Sequence, residues 1–293
     1  MKVAVHNDDI DGIASAALIL HAHPNANIKF LSVYEAQNTM EYFDYVIDLP
    51  KPINAKTNID HHRTNYERLL SEKRLSPNDL IDPSAPSATC LVAKYFNLNS
   101  NIAREIVDMA NKADTGHLDD KLMVLDKLIK YYVTDQKILR KLAEILSKKG
   151  KKFIEDDFIK ALWSKVSRDL EKGERLIMEN VNNLVKRKIE YAIVIIAPSI
   201  PYMLAKDAAY HFLKKGGKAV AVIYKDPNTG KDRVSFRIGD GCDIDASVLA
   251  ERLGGGGHKK ASGALLDNVA NAILVILEEF SNRGIVGFLR IGD

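Results

Sequence analysis

Asp60, His61 and His62 follow one another directly after a short apolar run, in the segment NIDHHRTNY (residues 58–66). Carboxylate oxygens and imidazole nitrogens are common ligands of divalent metal ions. Further acids and histidines follow other apolar runs of the N-terminal half, and the candidate ligands are His6, Asp9, Asp11, Asp48, His61 and Asp114. Such a set can hold two octahedral ions that share one carboxylate and keep open positions for water and substrate.

This ligand set predicts phosphoryl chemistry. Two divalent ions roughly 3.5–4 Å apart stabilise the attacking and the leaving oxygen of a phosphoryl displacement and acidify a bound water. Oxygen and nitrogen donors without sulfur favour Mn²⁺, with Mg²⁺ or Co²⁺ as substitutes. Cys90 and Cys242 are far apart in the sequence and form no metal-binding pair, which also fits a reducing compartment.

Each candidate ligand has a simpler interpretation when it is taken alone. Asp8, Asp9 and Asp11 could cap the helix that follows them, and Asp114 could simply end a helix. Asp48 is harder to explain in this way, because an isolated acid in a buried strand costs about several kcal/mol unless it is paired or binds a metal. The combination therefore favours one shared site.

The composition is that of a globular protein, with 46% hydrophobic and 28% charged residues. The net charge of +3 means that any anion-binding surface must be local. Charged residues occur early in the sequence, and no apolar run approaches the ~18 residues of a membrane helix. We therefore expect a cytoplasmic protein without membrane contact.

Strand-like runs alternate with helical segments in the N-terminal part, which predicts an α/β fold with a mostly parallel sheet and helices on both faces. The predicted strands are residues 2–6, 28–33, 45–49 and 57–60, with a helix over 12–23. In such sheets ligands collect at the carboxyl ends of the strands. Because the acidic clusters follow three of these strands, we expect them to meet.

The rest of the chain predicts a helical linker and a smaller α/β domain. The segments are helices over 101–116 and 156–188, strands over 189–197, 218–226 and 231–239, a helix over 245–253, a strand after residue 263 and a last helix over 268–282. The turn PNTG predicts a hairpin. We predict a catalytic domain with a helical extension over residues 1–175 and a substrate-binding domain over 188–293.

The motifs HNDDIDG, VIDLP, DHH and ADTG occur in this order and resemble the four motifs of the DHH phosphoesterase superfamily. GGGGHKKASG (254–263), preceded by VSFRI, resembles the accessory domain of its RecJ-like and nanoRNase-like branch. The resemblance covers nearly the whole chain. It implies a Mn²⁺-dependent phosphodiesterase that releases nucleoside monophosphates from the ends of single-stranded DNA, RNA or short oligonucleotides.

The resemblance also implies a role for each residue of the motifs. His6 and Asp9 would bind one ion, Asp11, His61 and Asp114 the other, and Asp48 would bridge them. His62 would face the scissile phosphate, and Asp60 would orient the histidines. Asp8 competes with Asp9, and the D-x-D-G spacing from Asp9 to Gly12 favours Asp9.

The glycine-rich segment predicts substrate binding, because glycines let the backbone approach a ligand and direct N–H groups at an anion. A flexible linker is the alternative, although apolar residues flank the segment closely. The predicted substrate-binding residues are Arg63, Ser235, Arg237, Gly255, Gly256, Gly257, His258 and Lys259.

Two other functions stay open at the level of the sequence. The substrate could be a small phosphorylated compound such as polyphosphate, a bisphosphonucleoside or a dinucleotide. The chain could instead be a catalytically quiet subunit of a replication or repair assembly, which is less favoured because all six ligands are present. A homodimer is compatible with the sequence, but strand polarity, DNA or RNA preference and minimum substrate length are not specified.

Overall fold

The computed structural model describes all 293 residues and divides into two compact units, Met1–Val166 and Ser167–Asp293. The division lies within a long helix, α8 (Asp157–Lys186). The domain ranges predicted from the sequence, 1–175 and 188–293, remain a prediction.

The N-terminal unit is built on a five-stranded sheet in which every pair of neighbouring strands is parallel. The strands are β1 (Lys2–His6), β2 (Asn27–Leu31), β3 (Phe43–Ile47), β4 (Ala55–Asp60) and β5 (Leu80–Ile81), in the order β2-β1-β3-β4-β5. The carboxyl ends of β1, β3 and β4 are therefore adjacent, as the sequence predicted.

Seven helices surround or extend this sheet before α8. They are α1 (Ile10–Ala22), α2 (Val33–Asn38), α3 (Arg63–Ser71), α4 (Ala88–Tyr95), α5 (Asn101–Asp114), α6 (Asp120–Tyr131) and α7 (Gln136–Lys149). Helix α1 is almost entirely buried and packs against α4, α5 and α7. Its many small side chains permit this close packing.

Several predicted boundaries differ from the structure for identifiable reasons. The strand expected over 28–33 ends at Leu31, because Ser32 caps α2 in a capping box with Glu35. The helix expected from residue 12 begins at Ile10, because Asp9 is its N-cap. Asp48, expected inside a strand, lies just beyond β3 with a φ of +56°.

The C-terminal unit contains a six-stranded mixed sheet in the order β11-β6-β7-β8-β10-β9. Its strands are β6 (Tyr191–Ile196), β7 (Ala219–Lys225), β8 (Asp232–Ile238), β9 (Gly256–His258), β10 (Ala261–Leu266) and β11 (Val286–Ile291). Its helices after α8 are α9 (Ala205–Lys214), α10 (Ala246–Glu251) and α11 (Val269–Ser281). β7 and β8 form the predicted antiparallel hairpin. Strand β11 and helix α9 were not predicted.

None of the helices combines the length and the apolar composition that crossing a bilayer would require.

Candidate metal centre

The end of β1 and the start of α1 bring His6 and Asp9 together. His6 Nδ1 lies 2.8 Å from Asp9 Oδ2, while Asp9 Oδ1 accepts a hydrogen bond of 2.9 Å from Gly12 N and so caps α1. Gly12 makes this tight connection feasible, since a Cβ there would lie 2.2 Å from the backbone oxygen of His6. Only glycine permits α1 to begin so close to the strand.

Asp48 lies in the middle of the candidate ligands. Its side chain is 1% exposed, with Oδ2 3.4 Å from His6 Nδ1 and Oδ1 3.8 Å from His61 Nε2. Neither carboxylate oxygen of Asp48 has a hydrogen-bond partner. A buried carboxylate without partners is unfavourable by about several kcal/mol, which points to a cation as its missing partner.

Asp11 is held by the N-terminus of α4. Its Oδ2 accepts from Ala88 N at 2.6 Å and its Oδ1 from Thr89 N at 2.8 Å and from the Thr89 hydroxyl at 2.5 Å. The free N–H groups of a helix N-terminus favour an anion at this position. These contacts fix the orientation of a carboxylate that is 1% exposed.

His61 is oriented towards the acids by its other ring nitrogen. Nδ1 lies 3.3 Å from the carbonyl oxygen of Ala85, which it can reach only as a donor. With Nδ1 bound in this way, Nε2 is the nitrogen that faces the acids, 3.1 Å from Asp114 Oδ2 and 3.7 Å from Asp11 Oδ2. Nε2 is buried and makes no well-aligned hydrogen bond. A metal-binding histidine usually has such an anchored second nitrogen.

His62 differs from His61 in being half exposed, with 53% of its side chain accessible. Its Nδ1 lies 2.8 Å from Asp60 Oδ1, so that Nε2 is the nitrogen left for a ligand. Asp60 is 1% exposed and also accepts from the backbone N–H of His61 at 2.8 Å. One buried carboxylate therefore orients the DHH segment.

Two buried asparagines, which we call the amide pair (Asn58 and Asn65), support this arrangement. Asn65 Nδ2 donates to Asp60 Oδ2 at 2.6 Å and to Asn58 Oδ1 at 2.7 Å. Asn58 Nδ2 donates to the carbonyl oxygens of Val46 and Leu49, at 3.0 and 3.1 Å, on either side of Asp48. These bonds stabilise the positive φ of Asp48, which is unfavourable for a residue other than glycine.

Burial and mutual repulsion raise the pKa of the acids at the centre. Burial and the carboxylates of Asp9 and Asp114 raise the pKa of Asp11 to about 6. Burial, together with Asp9 and Asp11, raises the pKa of Asp48 well above its usual value. Desolvation acts against ionisation of Asp9 as well, but the adjacent His6 lowers the pKa of Asp9 to about 2.

The pKa values of the histidines are also raised, because nearby carboxylates favour the charged imidazolium. Burial lowers the pKa of His61, but the close carboxylate of Asp114 and the charge of Asp11 outweigh it and raise that pKa to about 9. Burial also lowers the pKa of His6, and the carboxylates of Asp9 and Asp48 raise it well above the usual value. The cluster thus retains protons to offset its negative charge. Divalent cations would supply that charge instead.

The geometry groups the candidate ligands into sets whose donor atoms lie within 4.8 Å of one another. The three sets are His6, Asp9 and Asp48; Asp11, His61 and Asp114; and Asp48, His61 and His62. Oxygen and imidazole donors without sulfur, with unpartnered oxygens on Asp48, fit a pair of hard divalent cations. The structure brings all six predicted ligands together, and their assignment to two ions remains a prediction.

The predicted substrate-binding residues are divided between the two units. Arg63 lies on the first turn of α3 with its side chain 80% exposed, near Glu67. In the C-terminal unit, Ser235 pairs across the sheet with Gly263, which in turn pairs with Gly256. In the next row, Arg237 pairs with Ala261 and Ala261 with His258.

Arg237 has a free donor in this sheet. Its Nη1 donates to Ser235 Oγ at 2.9 Å and to the carbonyl of Phe236 at 2.7 Å, while its Nε is buried without a hydrogen-bond partner. Lys259 is exposed, and its carbonyl accepts from Ala246 N at 2.8 Å. The structure thus places Ser235 and Arg237 on β8 and Gly256 and His258 on β9, on either side of β10.

The sequence did not single out the amide pair or Thr89. A signal for Asn58 was present, because it is a polar residue in a strand that ends in the DHH segment. Thr89 is distant in sequence from Asp11, and only the packing of α4 against α1 brings the two together.

Comparison with known families supports this description. Residues 188–283 match the DHHA1 domain. The pGpG-specific phosphodiesterase PggH from Vibrio cholerae has a similar fold over 97% of this chain and 99% of its own, with a TM-score of 0.60 and 15% sequence identity. The C-terminal unit therefore contains a match to the DHHA1 domain, and the whole chain shares its fold with this phosphodiesterase. The α/β fold and the accessory domain predicted from the sequence are confirmed, and the DHHA1 match agrees with the predicted class of metal-dependent phosphoesterase.

Two further solved structures are similar to the chain, with TM-scores below 0.5. An exopolyphosphatase-related protein from Bacteroides fragilis is 16% identical, with a TM-score of 0.44 over 96% of this chain and 91% of its own. RecJ from Thermus thermophilus, in complex with Mg²⁺, is 17% identical, with a TM-score of 0.49 over 99% of this chain and 51% of its own. No curated protein sequence matches the chain.

Proposed function

We propose that this protein is a Mn²⁺-dependent phosphodiesterase that removes nucleoside monophosphates from the ends of single-stranded DNA, RNA or short oligonucleotides. The observation that carries the proposal is the buried Asp48 carboxylate, whose two oxygens lack partners between two groups of metal-type ligands. Bound there, two divalent ions would activate water and offset the charge that develops on the phosphate.

The residues of the chain divide the remaining work. His6 and Asp9 would hold one ion, the group of Asp11, His61 and Asp114 the other, and Asp48 both. His62 presents Nε2 to a phosphate oxygen, because its Nδ1 is bound to Asp60. Since the Asp60 hydrogen bond raises the pKa of His62, this residue can donate a hydrogen bond to the phosphate or a proton to the leaving oxygen.

The proposed substrate class rests on the C-terminal unit and on one structural neighbour. The DHHA1 match includes the sheet that carries Ser235, Arg237 and the glycine-rich hairpin. The neighbour with a similar fold is described as specific for the dinucleotide pGpG. A buried arginine Nε without a partner suits a phosphate or a base edge. A dinucleotide specialist is therefore the second candidate.

Polyphosphate is a weaker candidate, because only a solved structure of low similarity points to it. Recruitment by replication or repair partners and a homodimer remain predictions from the sequence.

A digestion experiment separates these functions. End-labelled single strands of DNA and RNA, from dinucleotides to long oligonucleotides, are incubated with the protein and Mn²⁺ beside an Asp48→Ala control. Stepwise release of monophosphates from long strands, lost in the control, supports an exonuclease. Cleavage of only the shortest strands supports a dinucleotide or oligonucleotide scavenger. Absence of cleavage at every length would contradict the proposal.

A further inference from the structure

An open slot lies beside the metal centre, between α2 and α3, with a volume of about 220 Å³. Val33 and Gln37 line it from α2, and Thr64 and Arg68 line it from α3. In each helix the two residues are four positions apart and therefore lie on the same helix face. We call this space the α2–α3 slot.

The α2–α3 slot is continuous with the metal centre. His6, Asp48, Asp60 and His62 line it at one side. A group attached to a phosphate at the metal ligands therefore has this space directly next to it. The exposed His62 side chain stands at the junction, with its Nε2 available to the phosphate.

The lining of the α2–α3 slot combines apolar surface with a few polar groups. Val33, Leu49 and Pro50 supply the apolar surface, and Leu49 is fixed because its carbonyl accepts from Asn58 Nδ2 at 3.1 Å. Gln37 offers an amide with both donors and an acceptor. This is the combination that a nucleobase and its sugar require, with apolar faces and a polar edge.

Arg68 is the only arginine or lysine that lines the α2–α3 slot. Its Nη2 donates to the carbonyl of Lys51 and to Asn65 Oδ1, both at 3.1 Å, so that the guanidinium is held in place. A single anchored guanidinium does not provide the run of cations that a chain of inorganic phosphates would need. The apolar surface would gain nothing from polyphosphate.

The size of the α2–α3 slot limits what it can hold. Pockets for drug-sized ligands occupy about 300–1,000 Å³, and this one is smaller. We propose that the slot holds the base and sugar of the single nucleoside attached to the phosphate that is cleaved. This inference rests on the proposed function and deepens it, because it makes a nucleotide diester, and not polyphosphate, the substrate.

The test uses dinucleotides in which one base is replaced by an abasic residue, either at the first or at the second position. With Mn²⁺-loaded protein, we expect loss of one of the two bases to lower kcat/KM by about tenfold or more, since a bound base contributes substantially to affinity. Gln37→Ala should lower kcat/KM for the normal dinucleotide several-fold and leave that of the sensitive abasic dinucleotide unchanged.

Asn38→Ala is the matched control. It removes an amide of the same type from the next position of α2, where Asn38 Nδ2 donates to the carbonyl of Tyr34 and does not line the slot. We expect its kcat/KM to equal that of the wild type with every substrate. A loss from Gln37→Ala that is equal for normal and abasic substrates would overturn the assignment of Gln37 to the base.

A second measurement separates this inference from the proposed function. Calorimetry compares the binding of a nucleoside monophosphate and of ribose 5-phosphate to the Mn²⁺-loaded protein and to its Gln37→Ala variant. Tighter binding of the nucleotide, weakened by Gln37→Ala, supports the slot even if no nucleic acid is cleaved. Equal binding of both compounds, or cleavage with no dependence on either base, would overturn it.

Discussion

The metal centre and the glycine-rich hairpin are built on different principles. The metal centre is made of side chains at or just beyond the carboxyl ends of β1, β3 and β4, with Asp11 from α1 and Asp114 from α5. They meet because parallel strands end at one edge of a sheet. The hairpin of β9 and β10 is a local structure whose glycines are largely required by packing. A Cβ on Gly255 would lie 2.2 Å from the carbonyl oxygen of Gly263, and one on Gly257 2.6 Å from Ser262 Cα.

The two motifs therefore have different physical reasons for their residues. At the metal centre the electrostatic energy of the metal-free protein is unfavourable, since buried carboxylates lie close together and the oxygens of Asp48 have no hydrogen-bond partner. Such local conflict is typical of functional sites. In the hairpin, Gly255 and Gly257 have a structural reason to be glycine, whereas Gly256 faces open space. Only Gly256 needs a different reason.

The largest expected effect comes from Asp48→Asn. The neutral amide removes the shared ligand, so we expect Mn²⁺-dependent activity to fall by about 10³-fold or more. The same change removes a buried carboxyl that has no hydrogen-bond partner and is costly to ionise, so the metal-free protein should melt at a higher temperature than the wild type. Activity assays and calorimetric melting measure both. A metal-free variant that is less stable would contradict the view that Asp48 is strained without cations.

A smaller loss is expected when the amide pair is broken. Asn65→Leu leaves Asp60 Oδ2 and Asn58 Oδ1 without their donor, so that the DHH segment is less well oriented. We expect kcat to fall by about 10- to 100-fold with little change in KM.

Gln136→Leu is the control for the amide pair. The side-chain amide of Gln136 accepts from Phe30 N and donates to the carbonyl oxygen of Phe30. The substitution therefore removes two amide hydrogen bonds in the same N-terminal unit, and neither involves a candidate metal ligand. If this control lowers kcat as much as Asn65→Leu does at a similar loss of stability, the amide pair has no specific positioning role.

Metal affinity should rise with pH. The pKa values of His61 and Asp11, about 9 and about 6, mean that bound cations must displace protons. Each displaced proton changes affinity by about tenfold per pH unit below the pKa. Calorimetric titration between pH 6 and 8 should show tighter Mn²⁺ binding and fewer released protons at the higher pH. Affinity that is independent of pH would contradict this protonation pattern.

The stability of the metal-free protein should change in the opposite direction. The pKa of His61 is raised in the folded state, so its ion pair with Asp114 contributes stability fully below the unfolded pKa of about 6.5. That contribution is lost as the pH rises through about 9. Melting of metal-free protein from pH 6 to 9 should therefore show a decreasing Tm, whereas the rise in Tm on adding Mn²⁺ should grow.

The smallest expected effects come from substitutions in the hairpin, which distinguish a glycine required for packing from one that could bind substrate. Gly255→Ala forces a clash with backbone atoms and should destabilise the protein by about 1–3 kcal/mol. Gly256→Ala has room for its methyl group, so its stability should change by less than about 0.5 kcal/mol. If the hairpin binds substrate, Gly256→Ala should raise KM a few-fold without affecting Tm. An unchanged KM would contradict a role of Gly256 in substrate binding.

Much of the metal centre could be predicted from the sequence because strand ends and acids are both local signals. Asp48 and His61 each follow a recognisable apolar run, and a parallel sheet brings such ends together. The supporting contacts could not be predicted in the same way. Thr89 reaches Asp11 only through the packing of α4 on α1, and the backbone bend at Asp48 depends on Asn58.

Strand β11 and helix α2 are among the elements that the sequence did not predict, for a related reason. β11 pairs in parallel with β6, and this long-range pairing, more than its own short sequence, defines it as a strand. Helix α2 follows β2 without a break, and its start is marked only by the capping box of Ser32 and Glu35. The capping box fixes the start of the helix that carries Val33 and Gln37, which line the α2–α3 slot.

The most direct test of the central claim is anomalous diffraction from a crystal of the protein grown with Mn²⁺. The account predicts two manganese peaks, one beside His6 and Asp9 and one beside Asp11, His61 and Asp114, with Asp48 contacting both. A single peak, or peaks that do not involve Asp48, would contradict the two-ion centre.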